Sequence, residues 1–181
     1  MTERDEQDLV KRAVDGDSRA FEHLVTIYQK VIYNLALRMT NDREDAQDIA
    51  QTVFVKAYEK LDTYNPRFRF FSWIYRIGIN ESLNHRARTR RFEGIDPEQL
   101  SDGGDADRRT EEVLIGGAIE ESLMSLSVDY RTVIILRHFL ELSQAEMAQV
   151  LEVPEKTVKS RLHSARQNMA AHLGRKGITH A

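Results

Sequence analysis

An all-α fold is predicted, with two small helical domains joined by a flexible acidic linker. Three observations predict it. Apolar residues recur at spacings of three and four through most of the chain, the mark of amphipathic helices. No alternating strand pattern of any length interrupts them. Residues 94–112, "GIDPEQLSDGGDADRRTEE", combine Gly, Pro, Ser and acid with almost no apolar side chain. Such a segment buries too little surface to offset its ordering entropy. The boundaries follow: a first domain over 1–93, the linker over 94–112 and a second domain over 113–181.

The first long helix is read from "DSRAFEHLVTIYQKVIYNLALRM", where Phe21, Leu24, Tyr28, Val31, Leu35 and Met39 form a stripe. Asp17 or Ser18 is its N-cap, a side-chain acceptor for the orphan N–H groups of the first turn. A second helix, "NDREDAQDIAQTVFVKAYEKL", has its stripe at Ile49, Val53, Ala57 and Leu61. Asn65-Pro66 breaks the chain into a loop rich in aromatics and arginine. A third helix, "FSWIYRIGINESLNHRARTRR", ends in Arg86, Arg88, Arg90 and Arg91.

The second domain carries a two-helix grammar at its end, "LSQAEMAQVLEVPEKTVKSRLHSARQNM". Ser143 and Glu146 form a capping box, and Pro154 interrupts the helix and opens the next one. On that next helix Val158, Leu162, Ala165 and Met169 make a core stripe, at 100° per residue. Lys156, Ser160, His163 and Gln167 cluster opposite, with Lys159 beside them and Arg161 and Arg166 flanking the stripe. A helix, a tight turn and a helix with a cationic, hydrogen-bonding outer face constitute a helix-turn-helix suited to DNA. A solvated face on an ordinary amphipathic helix is the plainer alternative.

Composition excludes several classes. The 181 residues contain no Cys, which removes disulfides, thiolate catalysis and Cys-based zinc sites. No apolar run approaches the ~20 residues of a membrane span, and the polar N-terminus is unlike a secretory signal. The expected location is therefore the cytoplasm. The net charge of −3 conceals an asymmetry. Residues 1–93 balance at +1, residues 94–124 at −7 and residues 125–181 at +3.

Three constellations in the first domain invite chemistry. Glu44, Asp45 and Asp48 could ligate a divalent ion or act as acid and base, which defines a rival reading as a small metal-dependent hydrolase. Acids in a first helical turn are also favoured by the dipole alone, and a negatively charged docking surface is the better reading. Phe68, Phe70, Phe71, Trp73 and Tyr75 interleave with Arg67, Arg69 and Arg76. Half of these rings belong to a core; the rest suit a platform that stacks bases of a single strand. The run Asn80, Asn84, His85, Arg86, Arg88, Arg90 and Arg91 exceeds what helix capping requires and suits phosphates.

The motifs "DREDAQDIAQTVFVKAYEKL", "FFSWIYRIGIN" and "LSQAEMAQVL…TVKSRLHSAR", in that order, resemble the extracytoplasmic-function (group IV) sigma factors of bacterial RNA polymerase. The resemblance spans residues 5–91 and 120–170. It implies that Asp45, Asp48, Gln51 and Phe54 dock on core polymerase. It implies that Arg69, Phe70, Trp73, Tyr75, Arg76, Asn80, Asn84, Arg86, Arg88, Arg90 and Arg91 serve the minus-ten element, capturing a flipped non-template base. Lys156, Thr157, Lys159, Ser160, Arg161, His163, Ser164 and Arg166 would read the minus-thirty-five element in the major groove. The acidic linker would thread toward the active-site cleft. Three positions depart from the family pattern: Lys156 where the turn usually has Gly, Ser127 for a common Pro, and Ser164 where Arg is frequent.

The implied partners are core RNA polymerase and promoter DNA, with an anti-sigma factor as a third partner that the residues leave open. Membrane insertion, a small-molecule substrate, a cofactor, a metal and a catalytic role are not expected. A stand-alone helix-turn-helix regulator would account for Ser143–Met169 equally well. It leaves the aromatic–arginine stretch and the Asp45/Asp48 face unexplained.

Overall fold

A computed structural model describes residues 3–93 and 111–178, with side chains described over 5–89 and 116–178. Most of the expected linker therefore lies outside the described residues. Among the described residues the α-helices are α1 (Glu3–Val14), α2 (Ser18–Thr40), α3 (Arg43–Glu59), α4 (Phe70–Glu93), α5 (Glu111–Met124), α6 (Val128–Ile134), α7 (Gln144–Leu151) and α8 (Glu155–Arg175). No strand occurs among the described residues.

Local chemistry sets the helix ends. Asp17 caps α2, accepting from the Arg19 and Ala20 N–H groups through Oδ1. Its Oδ2 takes the Arg12 guanidinium at 2.6 Å. Gly16, at φ +97°, makes the turn from α1, in a region L side chains rarely adopt. Asn41 closes α2 in the left-handed conformation, φ 61°. Asp42 then caps α3 through the Asp45 N–H.

The first domain is α1–α4. Phe21, Leu24, Tyr28, Leu35 and Met39 of α2 are buried as expected, but Ile32 rather than Val31 fills the middle of the stripe. Ile32 stands four residues after Tyr28 and three before Leu35, so it meets the same spacing rule as Val31, and at 100° per residue it lies nearer Tyr28 on the helix face. Ala46, Ile49, Val53 and Ala57 of α3 and Phe70, Ile74 and Ile79 of α4 meet it. Gly78 lets α4 approach α2; a Cβ there would stand 3.0 Å from Leu35 Cδ2. Tyr28 donates to the buried Glu6 carboxylate and so pins α1 to α2. Lys56 Nζ bonds Glu81 Oε1 at 2.7 Å between α3 and α4.

The second domain is α5–α8. Val133, Ile134, Ile135 and Leu136 are all buried in succession, where α6 widens into a π-helical turn, Ile135–Phe139. The Ser143/Glu146 capping box forms as expected, with both reciprocal bonds present. The turn into α8 places its left-handed residue at Glu152, φ 53°. Lys156, expected in that turn, lies instead in the first turn of α8.

The two domains pack together. α4 contacts α7, and α2 contacts α5 and α6. Arg131 is the centre of this junction. It is 1% exposed and donates to Leu123 O, Met124 O and Leu126 O at the end of α5. Its Nη1 crosses to Met39 O, at the end of α2, at 2.9 Å. One guanidinium thus satisfies carbonyls that two helix C-termini leave without intrahelical partners.

Candidate nucleic-acid interfaces and docking surface

Three surfaces carry the expected site residues. The first is an open groove between α3 and α4, lined by Asp48, Gln51, Thr52, Val55 and Glu59 on one side and by Glu81, His85 and Arg88 on the other, with Lys56 crossing it. Asp48 and Gln51 share this groove, as expected. Phe54 does not; it is half-buried against the core. Nine residues separate Asp45 from Phe54, two and a half helical turns, so the four positions spiral around α3 and cannot form one face. Asp45 Oδ2 lies 3.5 Å from His85 Nδ1. The fold thus brings a histidine of α4 beside the α3 acids. Among the described residues, no three His, Asp or Glu side chains are grouped to hold a metal ion. Val55 lines the groove and is 52% exposed, whereas Tyr58, 58% exposed, stands edge-on to the Phe21 ring of α2. Val55 is legible in the run Thr52-Val-Phe-Val55, which has more apolar positions than one buried stripe can absorb.

The second surface is the loop 64–69 with the outer strip of α4. Tyr64 Oη donates to Phe68 O at 2.6 Å and closes the loop. Asn65 Oδ1 accepts from the Arg67 N–H in an Asx turn. Tyr64, Phe70 and Trp73 make edge and tilted ring contacts with centroids 5.4–5.7 Å apart. Two residues expected to meet the strand are core instead: Phe70 is 2% and Tyr75 8% exposed. Burial first, then the Glu6 charge, pushes the Tyr75 phenol up to about 12. Each faces Tyr28 in the domain centre, because a four-helix core needs large rings at the α4 positions nearest α2. The exposed ring is Phe68, at 45%, which was noticed in the aromatic cluster but not assigned to the strand site.

Trp73, Asn80 and Asn84 fall within about 40° of one another on α4, with Arg76 beside them. Trp73 and Arg76 are half-buried; Asn80 and Asn84 are exposed. Arg69 lies over the Phe71 ring at 4.6 Å. The arginine run divides. Arg88 lines the acidic groove, and Arg86 Nη1 reaches Met39 O at 3.3 Å. The Arg90 and Arg91 side chains lie outside those described.

The third surface is α8. Val158, Leu162 and Ala165 are buried and Met169 is half-buried, so the expected stripe faces the core. Lys156, Lys159, Ser160, His163 and Arg166 are exposed, while Thr157 and Ser164 are half-buried at the margins. Arg161 is paired with Asp129 of α6 at 2.8 Å. His138, behind the helix, has its imidazole held below the usual range by burial, then by Arg166 and Arg137.

A groove edged by carboxylates, an aromatic–amide–arginine strip and a helix with a cationic outer face thus stand on one chain that is all-helical among the described residues. Comparison with known proteins specifies the class. Sigma-70 region 2 matches residues 24–92 and sigma-70 region 4 matches residues 116–169. The chain is 36% identical to the RNA polymerase sigma-H factor of Pseudomonas aeruginosa, over 92% of this chain and 93% of that protein. It is 30% identical to the ECF RNA polymerase sigma factor SigW of Bacillus subtilis, over 91% and 94%. Among solved structures, CnrH in complex with the cytosolic domain of CnrY superposes with a TM-score of 0.74 at 27% identity, covering 94% of this chain and 97% of that one. The chain belongs to the extracytoplasmic-function sigma factors of the sigma-70 family. It is a transcription initiation factor, not a stand-alone regulator.

Proposed function

We propose that this sigma factor divides its work among the three surfaces as follows. Residues 1–93 act as region 2 and residues 113–181 as region 4, with the intervening acidic segment leading into the polymerase cleft. The α3–α4 groove, through Asp48 and Gln51 with Asp45 at its edge, meets a basic surface of core RNA polymerase. The exposed Val55 adds apolar contact there. The α4 strip receives the non-template strand of the minus-ten element: Trp73 and Phe68 offer ring faces, Asn80 and Asn84 hydrogen-bond base edges, and Arg69 and Arg76 hold phosphates.

Helix α8 enters the major groove of the minus-thirty-five element. Lys159, Ser160 and His163 stand nearest base edges; Lys156, Arg161 and Arg166 stand nearest phosphates. The chain contributes recognition and strand capture, and the polymerase supplies the nucleotidyl-transfer chemistry, so the sigma factor is not itself an enzyme. It works in the cytoplasm, where the polymerase and the promoter are. A co-crystal of sigma factor RpoE with the anti-sigma factor NepR from Bartonella quintana shares this fold, with a TM-score of 0.69 at 21% identity. A protein partner of that type suits the paired, partly open surfaces of this chain.

The observation that carries the reading is the separation of an acidic groove from two cation-bearing DNA surfaces on one small chain. A test reverses the groove. Asp45→Lys with Asp48→Lys sets like charges against a basic partner, which costs association rate and affinity. The double variant is expected to unfold within about 2 kcal/mol of wild type: an acid in the first turn, such as the half-buried Asp45, contributes ~0.3–1 kcal/mol, and the exposed Asp48 lies beyond that turn and contributes about 0–1 kcal/mol. It is also expected to lose co-purification with core polymerase. A folded double variant that still binds core at wild-type affinity removes this groove from the docking site.

A further inference from the structure

The junction between the domains covers the strand-reading strip of α4. Arg76 Nη1 bonds Glu152 Oε1 at 2.5 Å, and Arg76 Nη2 bonds Gln149 O at 2.9 Å. Arg69 Nη1 meets Glu146 Oε1 at 3.4 Å. The two carboxylates stand at opposite ends of α7, one at the capping box and one at the left-handed turn into α8. Between them Asn80 and Leu83 face Val150 and Leu151 across a narrow cleft. The guanidiniums assigned to strand phosphates are therefore occupied by anionic and carbonyl oxygens of the same chain.

We propose that α7 acts as an internal stand-in for the minus-ten strand, its Glu146 and Glu152 carboxylates holding Arg69 and Arg76 so that the free protein is closed and reads single-stranded DNA poorly. The proposal rests on the assignment of the α4 strip to the non-template strand. Three features distinguish this junction from incidental contact. Arg131 buries its whole guanidinium to reach Met39 O from the other domain. Thr132 Oγ1 contacts Met39 Sδ, and Arg38 lies over the Phe139 ring at 4.0 Å. Both carboxylates at α7 pair with cations of the strand strip on the other domain.

The latch is also built to release. The Glu152 side chain is 68% exposed and the Arg69 side chain 48%, so water and salt compete for both pairs. A strand that offers phosphates to Arg69 and Arg76 and ring stacking to Trp73 displaces α7 by direct competition. Opening also turns Arg161 and the rest of α8 away from α4, because Arg161 lines the same cleft. Release of the strand strip and release of the recognition helix are then one event. A polymerase that holds the domains apart supplies the same opening without DNA.

The test measures fluorescence anisotropy of a short, randomised, fluorescein-labelled single-stranded DNA with the full chain. The opening variant is Glu146→Gln with Glu152→Asn. Gln serves a capping box as Glu does, and Asn tolerates the left-handed position, so α7 is kept. Glu141→Gln with Glu155→Gln removes the same charge from the same domain outside the junction. If the closed form leaves about a tenth of molecules competent, opening tightens binding roughly tenfold. The control pair leaves it unchanged, Arg76→Ala abolishes the gain, and small-angle scattering shows a larger radius of gyration for the opened variant. Equal binding by wild type and opened variant, with Arg76→Ala still weakening both, overturns the latch and leaves the strand assignment standing. An equal gain in the control pair assigns the effect to net charge and also overturns it. If Arg76→Ala changes nothing in either background, the strand assignment fails and the latch with it.

Discussion

Arg131 stands in an apolar run, "SVDYRTVIILRHF", where a charged residue should mark the solvated side of α6. Instead the guanidinium is enclosed, and each nitrogen is spent on a helix-terminal carbonyl. Nothing in the spacing announces this, because the carbonyls it serves belong to α5 and α2, up to 92 residues away. Replacing it by Met keeps the volume but strands Met124 O and Leu126 O, each costing about 1–3 kcal/mol if it stays dry, while Met39 O keeps Arg86 and Leu123 O keeps the Leu126 N–H. Arg131→Met is expected to lower stability in urea by ~2–4 kcal/mol, with Arg131→Lys intermediate because an ammonium lacks the fork. An unchanged urea midpoint for the Met variant would show that water satisfies those carbonyls. The aromatic cluster teaches a related point at the same scale. That half of it would be core was legible from the need for large side chains; which half was not. Phe70 and Tyr75 go inward because they lie on the α2 side of α4, a side fixed by tertiary packing and not by the cluster's composition.

Among elements, α8 was the most legible. Its apolar stripe, its cationic face and its preceding capping box all follow from local rules, and the structure reproduces each. Two measurements probe these elements. His163→Ala should change which promoter is preferred, by ~1–3 kcal/mol for a lost base contact, whereas Arg166→Ala should weaken all promoters alike and lower the salt slope. Sequence preference shifting with Arg166 instead would mean the helix meets the groove by another edge. The second measurement concerns α7. Hydrogen bonds from the Ser143 backbone and hydroxyl hold the Glu146 carboxyl below its usual range. A folded-state value below the unfolded one means the cap's contribution is complete above the ordinary Glu value near 4.5 and is lost as pH falls through the lower, folded value. NMR of residues 143–151 should therefore show α7 fraying as pH drops below about 4.5, a step that Glu146→Gln removes. Fraying already complete at neutral pH would contradict the capping assignment. The α3 docking face was legible only in part: its acids are evident, but the spiral of Asp45, Asp48, Gln51 and Phe54 is visible only when helical phase is counted over the whole span.

At the scale of the molecule, two helical domains and their order were legible from periodicity and from the composition of residues 94–112. The packing of one domain on the other was not, because it is made by polar contacts between distant positions, such as Arg76 with Glu152 and Arg69 with Glu146. Contacts of that type leave no periodic trace in either partner. The central claim is that this one chain gives core polymerase its promoter specificity. Run-off transcription on genomic fragments of the source organism, with purified core polymerase and the full chain, tests it most directly. The account predicts discrete start sites absent with core alone, sharing two upstream sequence blocks, lost with Trp73→Ala and redistributed among promoters with His163→Ala. Start sites identical to those of core polymerase alone, from a folded chain that binds core, would contradict it.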